Sequence, residues 1–178
     1  LQQSDSTTLI LDESFKGTSY IDIIRAICPE LVDSEDGMIT SEKLPYFKRV
    51  ILMTEREEKG MYTWSEFMAH AEGVSDEVLE ERFATLDPDD VINIQYTSGT
   101  TGFPKGVMLT HNNVVNNGKQ IGDYMKLTDK DRVCIPVPFF HCFGCVLGTL
   151  AAVTHGSTMV VIEQFDPEEV LKAVQNEK

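Results

Sequence analysis

Val91-Ile92-Asn93-Ile94-Gln95-Tyr96-Thr97-Ser98-Gly99-Thr100-Thr101-Gly102-Phe103-Pro104-Lys105-Gly106-Val107 is the stretch on which the reading of this chain turns. Apolar Ile92, Ile94 and Tyr96 alternate with polar Asn93 and Gln95, which predicts a strand with one face in a core. A run of hydroxyls and glycines follows, then a short strand, Val107-Met108-Leu109, and a helix over residues 112–124. Strand, glycine-rich loop and helix in this order form a chemical unit. Three glycines let the backbone adopt positive φ and come close to a ligand. Successive N–H groups can then make a concave nest for an anion. Thr97, Ser98, Thr100 and Thr101 add hydroxyl donors, and Lys105 adds the point charge that suits phosphate.

Upstream, residues 7–11 read as a strand. Ser19 caps a helix whose apolar face is Tyr20, Ile23, Ile24, Ile27 and Leu31, ending near Pro29. Residues 33–42 are an acidic loop, residues 50–53 a buried strand, and residues 55–59 a solvated charge cluster. Residues 64–70 and 76–86 read as helices, the second capped by Ser75. Residues 87–90 are a turn. Downstream, residues 132–137 and 158–162 read as strands. A buried helix covers residues 142–153, and another helix opens at Pro167. This alternation predicts an α/β layered fold with a mainly parallel sheet and flanking helices. The pattern changes near Leu127-Thr128-Asp129-Lys130. That places one α/β portion over residues 1–127, ending in the loop and its helix, and the start of a second over residues 128–178.

The formal net charge of −14 excludes nucleic acid as a natural partner, since a phosphodiester backbone needs clustered Lys and Arg. The charge is uneven. Residues 1–89 hold 8 basic and 20 acidic side chains, whereas residues 90–127 hold 3 and 2. The acidic groups thus avoid the window that contains the glycine-rich loop, as an anion site requires. The longest apolar run, residues 139–153, is interrupted by His141, Gly144, Gly148 and Thr149 and is too short to span a membrane. The first residues show no secretory leader. Cys28, Cys134, Cys142 and Cys145 therefore read as reduced thiols in the cytoplasm. Cys142-Phe143-Gly144-Cys145 admits a redox pair or half of a zinc site, but no second such pair is present.

The loop is not a Walker A motif, because Gly106 rather than Ser or Thr follows Lys105. The spacing of Gly99, Gly102 and Gly106 does not fit a dinucleotide fingerprint either. Residues 96–106 resemble, at every fixed position, the signature loop of the adenylate-forming superfamily: acyl-CoA synthetases, aryl-CoA ligases, peptide-synthetase adenylation domains and luciferases. Val107-Met108-Leu109-Thr110-His111-Asn112 continues the likeness, as does Pro136-Val137-Pro138-Phe139-Phe140-His141-Cys142-Phe143-Gly144. The likeness covers residues 87–178, and among these enzymes it is closest to the fatty acyl-CoA synthetases.

The resemblance implies a two-step ligation. A carboxylate attacks the α-phosphate of ATP to give an acyl-adenylate, and the thiol of coenzyme A then displaces AMP. It also implies roles for single residues. Thr97, Ser98, Gly99, Thr100, Thr101, Gly102 and Lys105 would bind the phosphates, with Lys105 catalytic, and His141 would line the acyl and nucleotide pockets. The family's Mg²⁺-binding, ribose-binding, hinge and C-terminal segments have no counterpart in these residues. The chain is thus expected to be an internal excerpt of the large N-terminal domain, inactive alone, with no metal ligand to assign and with surfaces prone to self-association. Rival readings are a phosphotransferase with an unusual loop, a stand-alone nucleotide-binding module, or another adenylate-forming enzyme.

Overall fold

The computed structural model describes residues 1–34, 37–98 and 102–177. Gly99, Thr100 and Thr101 of the signature loop lie outside the described residues. The chain divides into two compact units, Leu1–Thr85 and Leu86–Lys178. The class is α/β, as the sequence predicts. Among the described residues no helix is long and apolar enough to cross a membrane.

The first unit is built on β1 (Thr8–Leu11) and β4 (Arg49–Leu52), which pair in parallel from Thr8↔Arg49 to Leu11↔Leu52. Between them come a small antiparallel pair, β2 (Ser14–Phe15) and β3 (Thr18–Ser19), and helix α1 (Tyr20–Ile27). Ser19 caps α1 as expected, its hydroxyl accepting the Asp22 N–H at 3.1 Å. The buried face of α1 matches the predicted one only in part, since Ile24 and Leu31 are buried as expected. Ile21, Ile24, Cys28 and Leu31 face the core with Ile39, Phe47, Val50 and Leu52, while Ile23 and Ile27 are exposed. Both stripes have helical spacing in a helix this rich in isoleucine. The parallel pair β1–β4 supplies the contact surface that selects between them. The charge cluster does more than face solvent: Glu58 takes Arg25 at 2.5 Å and Arg56 at 2.6 Å. Helix α2 (Trp64–Ala69) opens with a capping box between Thr63 and Glu66, and α3 (Asp76–Phe83) is shorter than predicted and buries no residue.

The second unit begins with a hairpin of β5 (Val91–Thr97) and β6 (Lys105–Thr110). These strands are antiparallel, running from Val91↔Thr110 to Thr97↔Lys105 with a bulge between Val91 and Asn93. A parallel pairing needs a crossover of a dozen residues or more, and residues 98–104 are too few. The predicted apolar face of β5 is not in a core: Ile92, Ile94 and Tyr96 are exposed, because this hairpin forms a two-stranded sheet of its own.

Thr110 caps α4 (His111–Met125) through a second capping box: its hydroxyl accepts the Asn113 N–H at 3.3 Å and Asn113 Oδ1 accepts the Thr110 N–H at 3.0 Å. Leu127 to Lys130 then link α4 to β7 (Arg132–Ile135), which pairs in parallel with β8 (Thr158–Val161). The predicted seam thus falls inside the second unit. Helix α4 packs across it, against a π-helical segment (Phe143–Leu150) and α5 (Ala151–His155). Glycines set that distance: a Cβ on Gly118 would lie 2.6 Å from Leu150 Cβ, and one on Gly122 would lie 2.3 Å from the His155 ring. His155 Nε2 reaches Asp123 Oδ1 at 3.2 Å, and Lys119 holds the same carboxylate at 2.7 Å.

The predicted helix over residues 142–153 is therefore two helices in succession. Its first part is wound wider, and the Thr149 hydroxyl donates to the carbonyl of Gly144, five residues back, at 3.0 Å. Only one face is buried (Val146, Ala151 and Ala152, with Gly144 and Gly148), while Phe139, Phe140 and Phe143 are exposed. Helix α6 (Pro167–Glu177) follows β8, and Arg132 forms an ion pair with Glu177.

Candidate functional site

The hairpin fixes the two ends of the signature loop on one rung. Thr97 closes β5 directly opposite Lys105, which opens β6, and Tyr96 faces Gly106 on the rung below. A hydroxyl donor and an ammonium thus flank the mouth of the loop whatever lies between them. Ser98 and Lys105 are exposed, and Phe103 is 82% exposed. Gly102 has φ +88°, and among the described residues nothing lies within 4 Å of where its Cβ would be. Glycine is therefore required there by the backbone angle and not by crowding.

His141 lies between β7 and the π-helical segment. Its N–H donates to the Pro138 carbonyl at 3.2 Å and its own carbonyl accepts the Cys145 N–H at 3.0 Å. The turn folds this tightly because residue 144 is glycine: a Cβ there would sit 2.3 Å from the Pro138 oxygen. His141 Nδ1 accepts the Phe143 N–H at 3.1 Å and lies 3.8 Å from Cys142 Sγ. The imidazole is exposed, with its edge fixed by the backbone.

Between these elements lies a cavity of about 440 Å³ lined by Leu109 of β6, Asn113, Val114 and Asn117 of α4, and Cys142, Val146 and Leu147. The strand that opens with Lys105 and the residue next to His141 therefore border one space. Sequence reasoning singled out the two ends of this arrangement but not the α4 residues between them. The spacing of Asn113 and Asn117 at i and i+4 was the available signal. Among the described residues no three His, Cys, Asp or Glu side chains come together as a metal site. All four cysteines are free thiols.

Comparison with known proteins bears on the family and the fold. The profile of the AMP-binding enzyme family matches residues 1–178. YngI of Bacillus subtilis (strain 168), provisionally named an acyl-CoA synthetase, is 53% identical over 178 residues, covering 100% of this chain and 32% of YngI. The medium-chain acyl-CoA ligase ACSF2, mitochondrial, of Rattus norvegicus is 36% identical over 177 residues, covering 96% of this chain and 28% of that protein. Among solved structures, ATP-bound MatB from Rhodopseudomonas palustris superimposes with a TM-score of 0.64 at 24% identity, covering 97% of this chain and 29% of MatB. Apo MbtA of Mycobacterium smegmatis gives 0.70 at 22% identity, covering 96% and 28%. The two structures show the shared fold. The chain belongs to the family of AMP-binding enzymes, and the curated relatives it resembles are acyl-CoA ligases. It spans about a third of their length or less.

Proposed function

We propose that this chain is the phosphate-binding part of an ATP-dependent acid–thiol ligase that activates a fatty acid as its acyl-adenylate and passes it to coenzyme A. The observation that carries the reading is the Thr97↔Lys105 rung at the mouth of a loop whose exposed Gly102 has a glycine-only backbone angle. In the first step a carboxylate oxygen forms a bond to the α-phosphorus of ATP and the bond to the bridging oxygen breaks, releasing pyrophosphate. Charge accumulates on that leaving group. The hydroxyls of Thr97, Ser98, Thr100 and Thr101, the amides about Gly99 and Gly102, and the Lys105 ammonium would receive it. Preformed donors aimed at developing charge are commonly the largest catalytic term.

In the second step the thiol sulfur of coenzyme A attacks the acyl carbon and AMP leaves. The apolar lining of Leu109, Val114, Val146 and Leu147 suits a hydrocarbon chain, and His141 would stand where acid and nucleotide meet. Magnesium would accompany the nucleotide and neutralise phosphate charge; none of its ligands is assigned to this chain. Open apolar strands such as β5 favour self-association of the 178 residues in isolation. Four free thiols fit a reducing compartment such as the cytoplasm.

The test is Lys105→Ala in the full-length enzyme, with each half-reaction measured separately. Adenylate formation, followed by pyrophosphate exchange into ATP, should fall by roughly 10²–10³, the usual loss for one electrostatic donor. Thioester formation from presynthesised acyl-adenylate should be nearly spared, because pyrophosphate has already left. Equal slowing of both steps in a folded variant would remove the loop from the chemistry.

A further inference from the structure

Helix α4 carries Asn112, Asn113, Asn116 and Asn117, although asparagine is a weak helix former. Two of these have a task within the chain. Asn112 Nδ2 donates to Asp89 Oδ1 at 2.7 Å, and Asn113 Oδ1 accepts the Thr110 N–H in the capping box. Asn116 and Asn117 cap nothing, and among the described residues their amides meet no hydrogen-bond partner. Of that pair only Asn117 borders the 440 Å³ cavity, where it joins Asn113. The rest of the wall is Leu109, Val114, Cys142, Val146 and Leu147, with no Lys, Arg, Asp, Glu or His. An apolar cavity of this size with a few convergent polar groups is the usual form of a small-molecule site.

Side chains four apart on a helix have Cβ atoms about 5–6 Å apart. Two amides at that spacing can hold one oxygen atom between them at ordinary hydrogen-bond length. The capping bond fixes the Asn113 amide: its Oδ1 is engaged, and its Nδ2 keeps two N–H donors. Asn117 offers both donors and an acceptor. A plain hydrocarbon laid against this wall strips water from both amides and returns no hydrogen bond, which costs affinity. A hydroxyl answers both, accepting from Asn113 Nδ2 and donating to Asn117 Oδ1. We propose that Asn117, together with Asn113, makes the cavity selective for carboxylic acids that carry a hydroxyl group on the hydrocarbon chain. The inference rests on the ligase reading for the fate of the carboxyl end, and it narrows the substrate class from fatty acids at large to hydroxylated ones.

Ligand-observed NMR titration of the full-length enzyme without ATP tests the selection. The acids are decanoate and its hydroxylated forms, with the hydroxyl at the β-carbon, at mid-chain or at the terminal carbon. One hydroxy acid should bind roughly tenfold more tightly than decanoate, the scale of one neutral hydrogen bond that would otherwise be lost. Asn117→Leu, similar in shape, should erase that advantage and tighten decanoate. Asn116→Leu, outside the cavity, should keep the advantage. Decanoate binding as tightly as every hydroxy acid, or a preference that survives Asn117→Leu, would overturn the proposal. Pyrophosphate exchange into ATP with the same acids reads the ligase assignment separately. A binding preference without any exchange would count against the ligase assignment alone, whereas exchange with no binding preference would sink the selection alone.

Discussion

The packing of α4 on the helices that follow β7 gives the sharpest energetic prediction. In Gly118→Ala the new methyl would lie 2.6 Å from Leu150 Cβ, 3.1 Å from Leu150 C and 3.3 Å from Ala151 N. Carbon atoms in good contact sit about 3.5–4.0 Å apart, so α4 and its neighbour must separate by roughly 1 Å. The opposing atoms are backbone or attached directly to it, so no rotamer change relieves the overlap. Overpacking of this kind costs about 1–3 kcal/mol. Alanine recovers about 1 kcal/mol of helix propensity over glycine. Since the overlap is with backbone, the cost is not outweighed and a net loss of up to roughly 2 kcal/mol is expected, near 4–8 °C in Tm for each kcal/mol in a unit of this size. Urea unfolding followed by circular dichroism, with hydrogen exchange on α4 amides, measures it. Gly73→Ala, where nothing lies within 4 Å of the new methyl, is the control and should be nearly neutral. A stabilised Gly118→Ala protein would mean that propensity governs and that the helices are not in close contact. The same separation would widen the cavity between Asn113, Asn117 and Leu147, so ligand affinity should weaken in parallel.

Three further outcomes follow from other contacts. Gly102→Val in the full-length enzyme should depress adenylate formation with little change in Tm, because it sets a β-branched residue at φ +88° in an exposed loop; an unimpaired enzyme would count against the loop's role. Burial raises the Glu58 carboxyl, but hydrogen bonds and charge from Arg25 and Arg56 outweigh it and leave its pKa below the ordinary 4.5. Its contribution is therefore complete above pH 4.5 and lost as pH falls through the folded value, so thermal melts should show declining Tm below pH 4.5, flattened in Glu58→Gln. Phe47→Ala empties the largest fully buried site of the first unit and should cost about 3–5 kcal/mol, read by the fluorescence of Trp64, the single tryptophan.

Much of the arrangement was legible before any coordinates. The caps at Ser19 and Ser75 are local chemistry, since a hydroxyl three residues before a free N–H needs no tertiary partner. The strand–loop–strand unit around Thr97 and Lys105 was readable for the same reason. What the sequence leaves open is which of two plausible faces meets a neighbour. The isoleucines of α1 offer two stripes that share Ile24, and only the position of β1 and β4 decides that Ile21 rather than Ile23 and Ile27 is inside. Alternation in β5 marks a two-faced strand, but burial depends on whether another layer covers it. The widened helix after Cys142 was also hidden, because Thr149 bonding back to Gly144 is compatible with either winding until the glycines at 144 and 148 are seen against Pro138 and Ile135.

The pairing of Thr97 with Lys105 also has a bearing on engineering. Because Thr97 and Lys105 form one backbone rung, the hairpin register sets how far apart the two anchors stand. Residues 98–104 can therefore be exchanged at constant length in a library that keeps this register. Such a library separates the contribution of the frame from that of the span, a division that point substitutions within the loop cannot make.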